Sequence, residues 1–392
     1  MQKQESHDFR CGSVKNQKIL IIGGGVIGLG IGWQLAKKGA AVTIYESGHA
    51  GRGASWAAGG MLGPIAEAHS DELTLLELSN QSLARYPEWV DELETETEMS
   101  IGYRSEGTLI IGIGSDETDQ LRHTYAFQQE LGLNVEWLSG REAREIEGAL
   151  SPYVTAAIRC ETDHQVDNRL MAQALQYPYQ KRGGVLHQNS AVERIVIENG
   201  TATGVQTQDG FQGADVCILA AGCWSGQIRG LPDTIAPPVR PVKGQMLALQ
   251  MQEGIRIENV IRTVKTRYPI PVYLVPRTDG RLVVGATTEE LGFDPHLTVG
   301  GIYELMRGAC EAVPGFYELP LIETWTGLRP GSSDNAPILG KTPVENLIYA
   351  TGHYRNGILL TPITAYEISK LILTGETSET IAPFQLDRFS EA

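Results

Sequence analysis

Apolar and polar positions along this chain alternate in blocks that predict strands and helices in turn. Residues 19–22 are four consecutive apolar positions and read as a strand buried on both faces, halted by glycines at 23–25. No charge occurs anywhere in residues 19–36, a run long enough to suggest a membrane span. Six of those positions are glycine, and a central strand followed by a core-facing helix explains the run without a bilayer. Val42, Ile44 and Tyr45 predict the next strand. The spacing over 71–98 predicts a long helix with Leu75, Leu76, Leu78, Leu83 and Trp89 turned inward. A strand over 105–113, an amphipathic helix over 116–131, a short strand at 135–138, a helix from Arg141 and a strand at 156–159 follow. Beyond Val166 the character changes. Asp167 reads as the cap of a helix reaching about Lys181. A β-meander from residue 191 then turns at Asn199-Gly200 and Asp209-Gly210, dipeptides that favour positive φ, and ends in the strand over 215–224. Residues 215–224 read as a buried strand ending in another glycine turn, and 272–277 with 281–285 as a hairpin. After a strand at 323–331, a strand–glycine–helix unit over 348–358 begins its helix near Gly357, with Pro362 in the first turn.

Composition narrows the picture. A chain of 392 residues suits two domains. With neither repeats nor a low-complexity linker, they are expected to interleave: 17–95, 163–234 and 326–384 in one, 96–162 and 235–325 in the other, after a disordered extension at 1–16. Glu5, Asp8 and Arg10 make that extension unlike a signal peptide. A net charge of −15 argues against nucleic acid or an anionic membrane as partner. The five cysteines, at 11, 160, 217, 223 and 310, are scattered with no C-x-x-C, which suits reduced thiols in a cytoplasmic setting. The eight histidines show no ligand-type pairing, so no metal site is expected.

The strongest chemical signal is the first glycine turn. Gly23, Gly25 and Gly28 have the G-x-G-x-x-G spacing, directly after a strand and before a helix. The first glycine permits the tight turn, the second lets backbone N–H groups approach a pyrophosphate, and the third lets helix and strand pack closely. Glu46 ends the next strand, eighteen residues after Gly28, where a carboxylate can accept the ribose hydroxyls of an adenosine. The unit predicts a dinucleotide. A second glycine turn at 219–222 and the late one at 352–357 favour a flavin dinucleotide over nicotinamide, because a helix N-terminus there can stabilise charge on a reduced isoalloxazine.

With these motifs the chain resembles the flavin-dependent amine and amino-acid oxidases of the D-amino-acid oxidase family. Within it the chain is similar to the glycine oxidases of thiamin biosynthesis. The resemblance covers about residues 17–384 and is carried by Ala57-Ala-Gly-Gly-Met-Leu62, Pro241-Val-Lys-Gly-Gln245, Tyr273-Leu-Val-Pro-Arg277, Gly327-Leu-Arg-Pro-Gly331 and Gly352-His-Tyr-Arg-Asn-Gly-Ile-Leu359. It implies an α/β fold: a Rossmann-like FAD-binding domain interleaved with an α+β substrate domain on a mostly antiparallel sheet. It also implies that FAD is lined by Gly23, Gly25, Val26, Ile27, Gly28, Glu46, Ser47, Ala54, Ser55, Gly59, Gly60, Met61, Val192, His353, Tyr354, Arg355, Asn356, Gly357, Ile358 and Leu359. Val192 would offer its backbone to the adenine. Relatives with covalent flavin use a cysteine beside the isoalloxazine. None of the five cysteines lies in a flavin-contacting motif, so non-covalent FAD is expected.

Substrate chemistry requires a carboxylate anchor that sets Cα beside flavin N5 for hydride transfer. Arg329 is the first candidate, since a guanidinium binds a carboxylate through two parallel hydrogen bonds. Strand alternation puts Trp325, Gly327 and Arg329 on one face. Taken alone, an arginine between glycine and proline also suits a loop ion pair. Tyr273 would donate its hydroxyl to the same carboxylate, and Arg355 matches a further substrate-site position of the family. No general base stands out. Lys243 is read as structural or as an oxygen-activating group, and His353 as packing or backbone-bonding. Pro271 and Thr288 differ from some relatives and are expected to shape the pocket. The implied reaction is oxidation of glycine, sarcosine or small D-amino acids with O2 reduced to H2O2, supplying imine to thiazole synthesis. Thiazole synthase and a homotetramer are the implied partners. Two alternatives remain: a D-amino-acid dehydrogenase passing electrons to a quinone, and a flavin-binding scaffold without turnover.

Overall fold

The computed structural model describes residue 15, residues 17–264 and residues 270–390. The expected extension at 1–16, Lys15 apart, lies outside the described residues. Two large sheets organise the molecule. The first has six strands in the order Ile338–Lys341, Leu347–Thr351, Val216–Leu219, Lys18–Ile22, Ala41–Tyr45 and Val185–His187. All neighbours are parallel except the outermost pair, Ile338–Lys341 with Leu347–Thr351. Its central strand alternates between two cores. Ile19 and Ile21 pack with Leu29, Trp33 and Ile363 of the helical layer, whereas Leu20 and Ile22 pack with Ile195, Ala202 and Val205 of the meander. The uncharged run at 19–36 is divided between the strand Lys18–Ile22 and the helix Val26–Lys37. Among the described residues no helix is long and apolar enough to cross a membrane.

The meander forms from Val192–Glu198, Thr201–Thr207 and Gly210–Gly213, but the strand expected to end it joins the parallel sheet instead, as Val216–Leu219. Its turns hold Asn199 at φ 51°, Gly200 at 84° and Gly210 at 105°. The second large sheet has eight strands, ordered Leu321–Gly331, Arg240–Gln250, Arg281–Gly285, Tyr273–Pro276, Val260–Thr263, Thr108–Ile113, Val154–Cys160 and Glu136–Ser139. Only the pair Val260–Thr263 and Thr108–Ile113 is parallel. The helix Val299–Ala312 lays Leu305, Ala309 and Ala312 on Leu247, Leu274 and Val284 of this sheet. Leu321–Gly331 is one unbroken strand through 325/326, where a domain boundary is expected. The α/β fold class holds: a Rossmann-like unit and a mostly antiparallel sheet, built from interleaved chain segments.

Three further elements differ from the sequence expectation. The helix after Asp167 starts as expected, with the carboxylate accepting from Arg169 N at 3.0 Å and Leu170 N at 3.2 Å. It then divides into Asn168–Ala174 and Gln176–Lys181, because Pro178 has no N–H to give the carbonyl four residues earlier. Leu76, expected inward on the helix Leu73–Thr97, is only half-buried. The late helix begins at Thr361 rather than near Gly357. Residues 354–360 are instead a short 3₁₀ turn and a second turn, closed by Leu360 N donating to Asn356 O at 2.8 Å. Pro362 does stand in the first turn of the helix Thr361–Thr374.

Candidate active site

A cleft of about 580 Å³ runs from the first glycine turn to the eight-stranded sheet. Its near end is built by Gly23, Gly25, Val26, Ile27, Glu46, Ser47 and Val192. Gly23 has φ 110°, and a Cβ there would collide with the Ala220 carbonyl. Gly28 does not line the cleft. A Cβ there would overlap the Gly23 carbonyl, so this glycine acts by letting turn and helix close on each other, and its placement among cofactor contacts is corrected to packing. Glu46 sits where the two parallel strands open. One of its oxygens accepts from Gly24 N at 2.8 Å and the other from Gly48 N at 2.9 Å, which fixes a carboxylate at the cleft wall. Ser55 Oγ accepts from Val26 N at 3.1 Å, serving an otherwise unpaired N–H of the first helical turn.

The middle of the cleft is walled by small residues. Ala54, Ser55, Gly59, Gly60 and Met61 line one side; His353, Tyr354, Arg355, Asn356, Gly357, Ile358 and Leu359 line the other. Tyr354 takes φ 47°, a left-handed conformation unusual for an aromatic residue. His353 is buried and its Nε2 lies 3.1 Å from Thr364 Oγ1. Burial pushes its pKa down to about 3, so it is neutral. Cys223 also lines this cleft, although it lies in none of the motifs expected to contact the flavin. It is buried, which pushes its thiol up to about 12, so it is a poor nucleophile.

At the far end Tyr273 and Arg329 converge, brought there by two strands of one sheet. Arg329 Nη1 donates to Thr287 O at 3.1 Å and to Lys243 O at 3.4 Å. Its guanidinium lies flat over Gly244: a Cβ there would stand 2.5 Å from Nη1. The Tyr273 hydroxyl meets Met246 Sδ at 3.2 Å. Its ring fits between Gly59 and Gly285, and a Cβ on Gly285 would come 2.5 Å from the hydroxyl oxygen. Burial raises the Tyr273 pKa, and the charge of Arg329 pulls against it. Trp325 shares the strand face and donates to Ala57 O at 3.1 Å.

Other expectations change. Lys243 Nζ is fully buried and pairs with Glu289 at 3.1 Å and Asp294 at 3.2 Å. Its side chain does not line the cleft, and its ion pairs suit the structural role. Pro271 and Thr288 are both exposed and do not line this cleft. It is the neighbouring Thr287 that reaches Arg329. Arg355 lines the cleft but is held by carboxylates, its Nη2 donating to Glu72 at 2.8 Å.

Glu67, Met246 and Gly244 are lining residues that the sequence reading missed. Gly244 was visible inside Pro241-Val-Lys-Gly-Gln245. Glu67 had no local signal, being one glutamate in a turn after a small-residue run. It is set by tertiary contacts: Asp163 accepts from Ile65 N at 3.1 Å and Ala66 N at 3.0 Å, and Arg262 grips Glu67 at 2.5 Å. Burial opposes its ionisation, but Arg262, Arg355 and Arg329 together hold its pKa below the usual value.

A glycine-walled cleft with a fixed carboxylate at one end and an arginine–tyrosine pair at the other defines a dinucleotide-dependent redox protein. Residues 18–371 match the model of the FAD dependent oxidoreductase family, and the chain belongs to that family. The glycine oxidase of Geobacillus kaustophilus is 34% identical over 383 residues, covering 94% of this chain and 96% of that protein. The bifunctional protein ThiO/ThiG of a Synechocystis species is 39% identical over 376 residues, covering 95% of this chain and 54% of the relative. The chain thus spans about half the length of the bifunctional relatives it matches. A crystal structure of the Geobacillus kaustophilus glycine oxidase aligns with a TM-score of 0.87 at 33% identity, over 95% of this chain and 99% of that one.

Proposed function

We propose that the protein oxidises glycine, and with it sarcosine or small D-amino acids, to the imine, with O2 reduced to H2O2. The observation that carries this is the meeting of Arg329 and Tyr273 at one end of a cleft whose other end holds the glycine turn and Glu46. The names of its relatives agree with it. Bound FAD supplies the acceptor for two electrons. The chain's own residues do the positioning. Gly23 and Gly25, lacking a Cβ, leave room for a pyrophosphate to approach the backbone of the turn, and Glu46 receives ribose hydroxyls. The 353–359 segment lies against the ring end. Arg329, held flat by two carbonyls, takes the substrate carboxylate, and the Tyr273 hydroxyl turns from Met246 to the same group. No side chain is needed as a base if the amine arrives neutral.

FAD is proposed to be non-covalent, which the inert Cys223 supports. The imine hydrolyses to glyoxylate and ammonia or passes to thiazole synthesis. Thiazole synthase as partner, a homotetramer and a cytoplasmic location are parts of the same reading, suggested by the ThiO/ThiG relatives and the family resemblance. The decisive experiment mixes the flavoprotein anaerobically with glycine, sarcosine, D-alanine and D-proline, then admits air. Bleaching by glycine and recovery in air are expected. No bleaching by any of the four defeats the oxidase reading, and bleaching without recovery favours the quinone-linked dehydrogenase. Arg329→Ala should raise KM by roughly a hundredfold with flavin retained, from loss of a buried charge-assisted contact.

A further inference from the structure

Three arginines face the substrate end of the cleft or stand directly behind it, and two of them are already paired. Arg262 donates to Glu67 Oε1 at 2.5 Å. Arg355 donates to Glu72 at 2.8 Å and its Nε lies 3.9 Å from Glu67 Oε2. Arg329 differs: its hydrogen bonds go to the carbonyls of Lys243 and Thr287, and among the described residues it makes no ion pair. Glu67 lines the cleft and Arg262 does not, so the carboxylate is interposed between that guanidinium and the substrate space. It is also rigidly placed. Asp163 binds the two amides before it, and Gln128 Nε2 donates to Ile65 O at 3.0 Å.

We propose that Glu67 restricts this site to substrates carrying a single carboxylate. It neutralises Arg262, shares Arg355, and leaves Arg329 as the one of these three arginines without an ion pair among the described residues. A second carboxylate on the substrate meets the charge of Glu67 instead of a free guanidinium, in a partly desolvated space where like charges repel strongly. Glycine and sarcosine fit this pattern; an N-carboxymethyl or acidic amino acid does not. The inference rests on amino-acid oxidation being the activity.

The test compares acetate with malonate, each titrated into the FAD-loaded enzyme and read by the perturbation of flavin absorbance. Glu67→Gln should raise the affinity of malonate relative to acetate by about tenfold or more, one charge interaction being removed. Turnover should shift the same way, with iminodiacetate gaining on glycine. An unchanged or lowered malonate-to-acetate ratio in a flavin-replete Glu67→Gln protein overturns the inference. Should that variant fail to hold flavin, Glu67→Ala removes the same charge and gives the same reading: the ratio should rise, and a fall or no change overturns the inference. Because the ratio is read without turnover, a wild-type enzyme that glycine does not bleach would sink the oxidase reading separately.

Discussion

Single residues in this cleft act through what surrounds them rather than through unusual chemistry of their own. Arg329 is an ordinary guanidinium made specific by two backbone carbonyls and a glycine beneath it. His353 is the clearest titrating example. Burial holds its folded pKa near 3 against an ordinary value of 6.5, so the unfolded chain binds the extra proton first as pH falls. Its contribution to stability is therefore intact above about 6.5 and is lost progressively down to about 3. His353→Gln should flatten the acid side of the Tm-versus-pH curve across that window. Curves for the variant and the wild type that run parallel would show that the imidazole is not buried neutral. Cys223 illustrates the same principle without function: burial leaves a thiol at the cleft too weakly acidic to react.

At the scale of elements, strands place the anchors and glycines make room for them. Arg240–Gln250 pairs with Leu321–Gly331 so that Gly244 lies opposite Gly327 and Val242 opposite Arg329. The guanidinium then folds back over Gly244, which no other residue type permits without displacing it. Gly244→Ala should raise KM for the substrate about tenfold or more while flavin content and kcat change little, since the anchor is moved rather than removed. An unchanged KM would mean that Arg329 does not hold the carboxylate. The turn at 63–67 is the other positioning element. It has no regular hydrogen-bond ladder and depends on Asp163, whose carboxyl burial raises to about 7 even with two amides bound. Here the chain spends a buried acid to fix one turn.

For the whole molecule, the cleft is the seam between the parallel and the antiparallel sheet. Its walls come from residues as far apart as Ile22 and Leu359. A ligand filling such a seam binds the folded state alone, so FAD removal should lower Tm and readdition should restore it. At a hundredfold excess over Kd the stabilisation is about 2.7 kcal/mol. A Tm indifferent to FAD, measured by differential scanning calorimetry on stripped and reloaded protein, would place the cofactor elsewhere. The sequence by itself determined the first strand–turn–helix, the capped helix after Asp167, the meander and its turns, and the strand face shared by Trp325, Gly327 and Arg329. All of these are local: a period of two or 3.6 residues, or a dipeptide that admits positive φ, is written in neighbouring positions. Only the tertiary structure decided that Lys243 is buried away from the cleft, that Thr287 and not Thr288 reaches the arginine, and that Glu67 belongs to the site. Those outcomes depend on which distant segments face one another across the seam, and no periodicity along a chain encodes the direction in which a buried charge finds its partner.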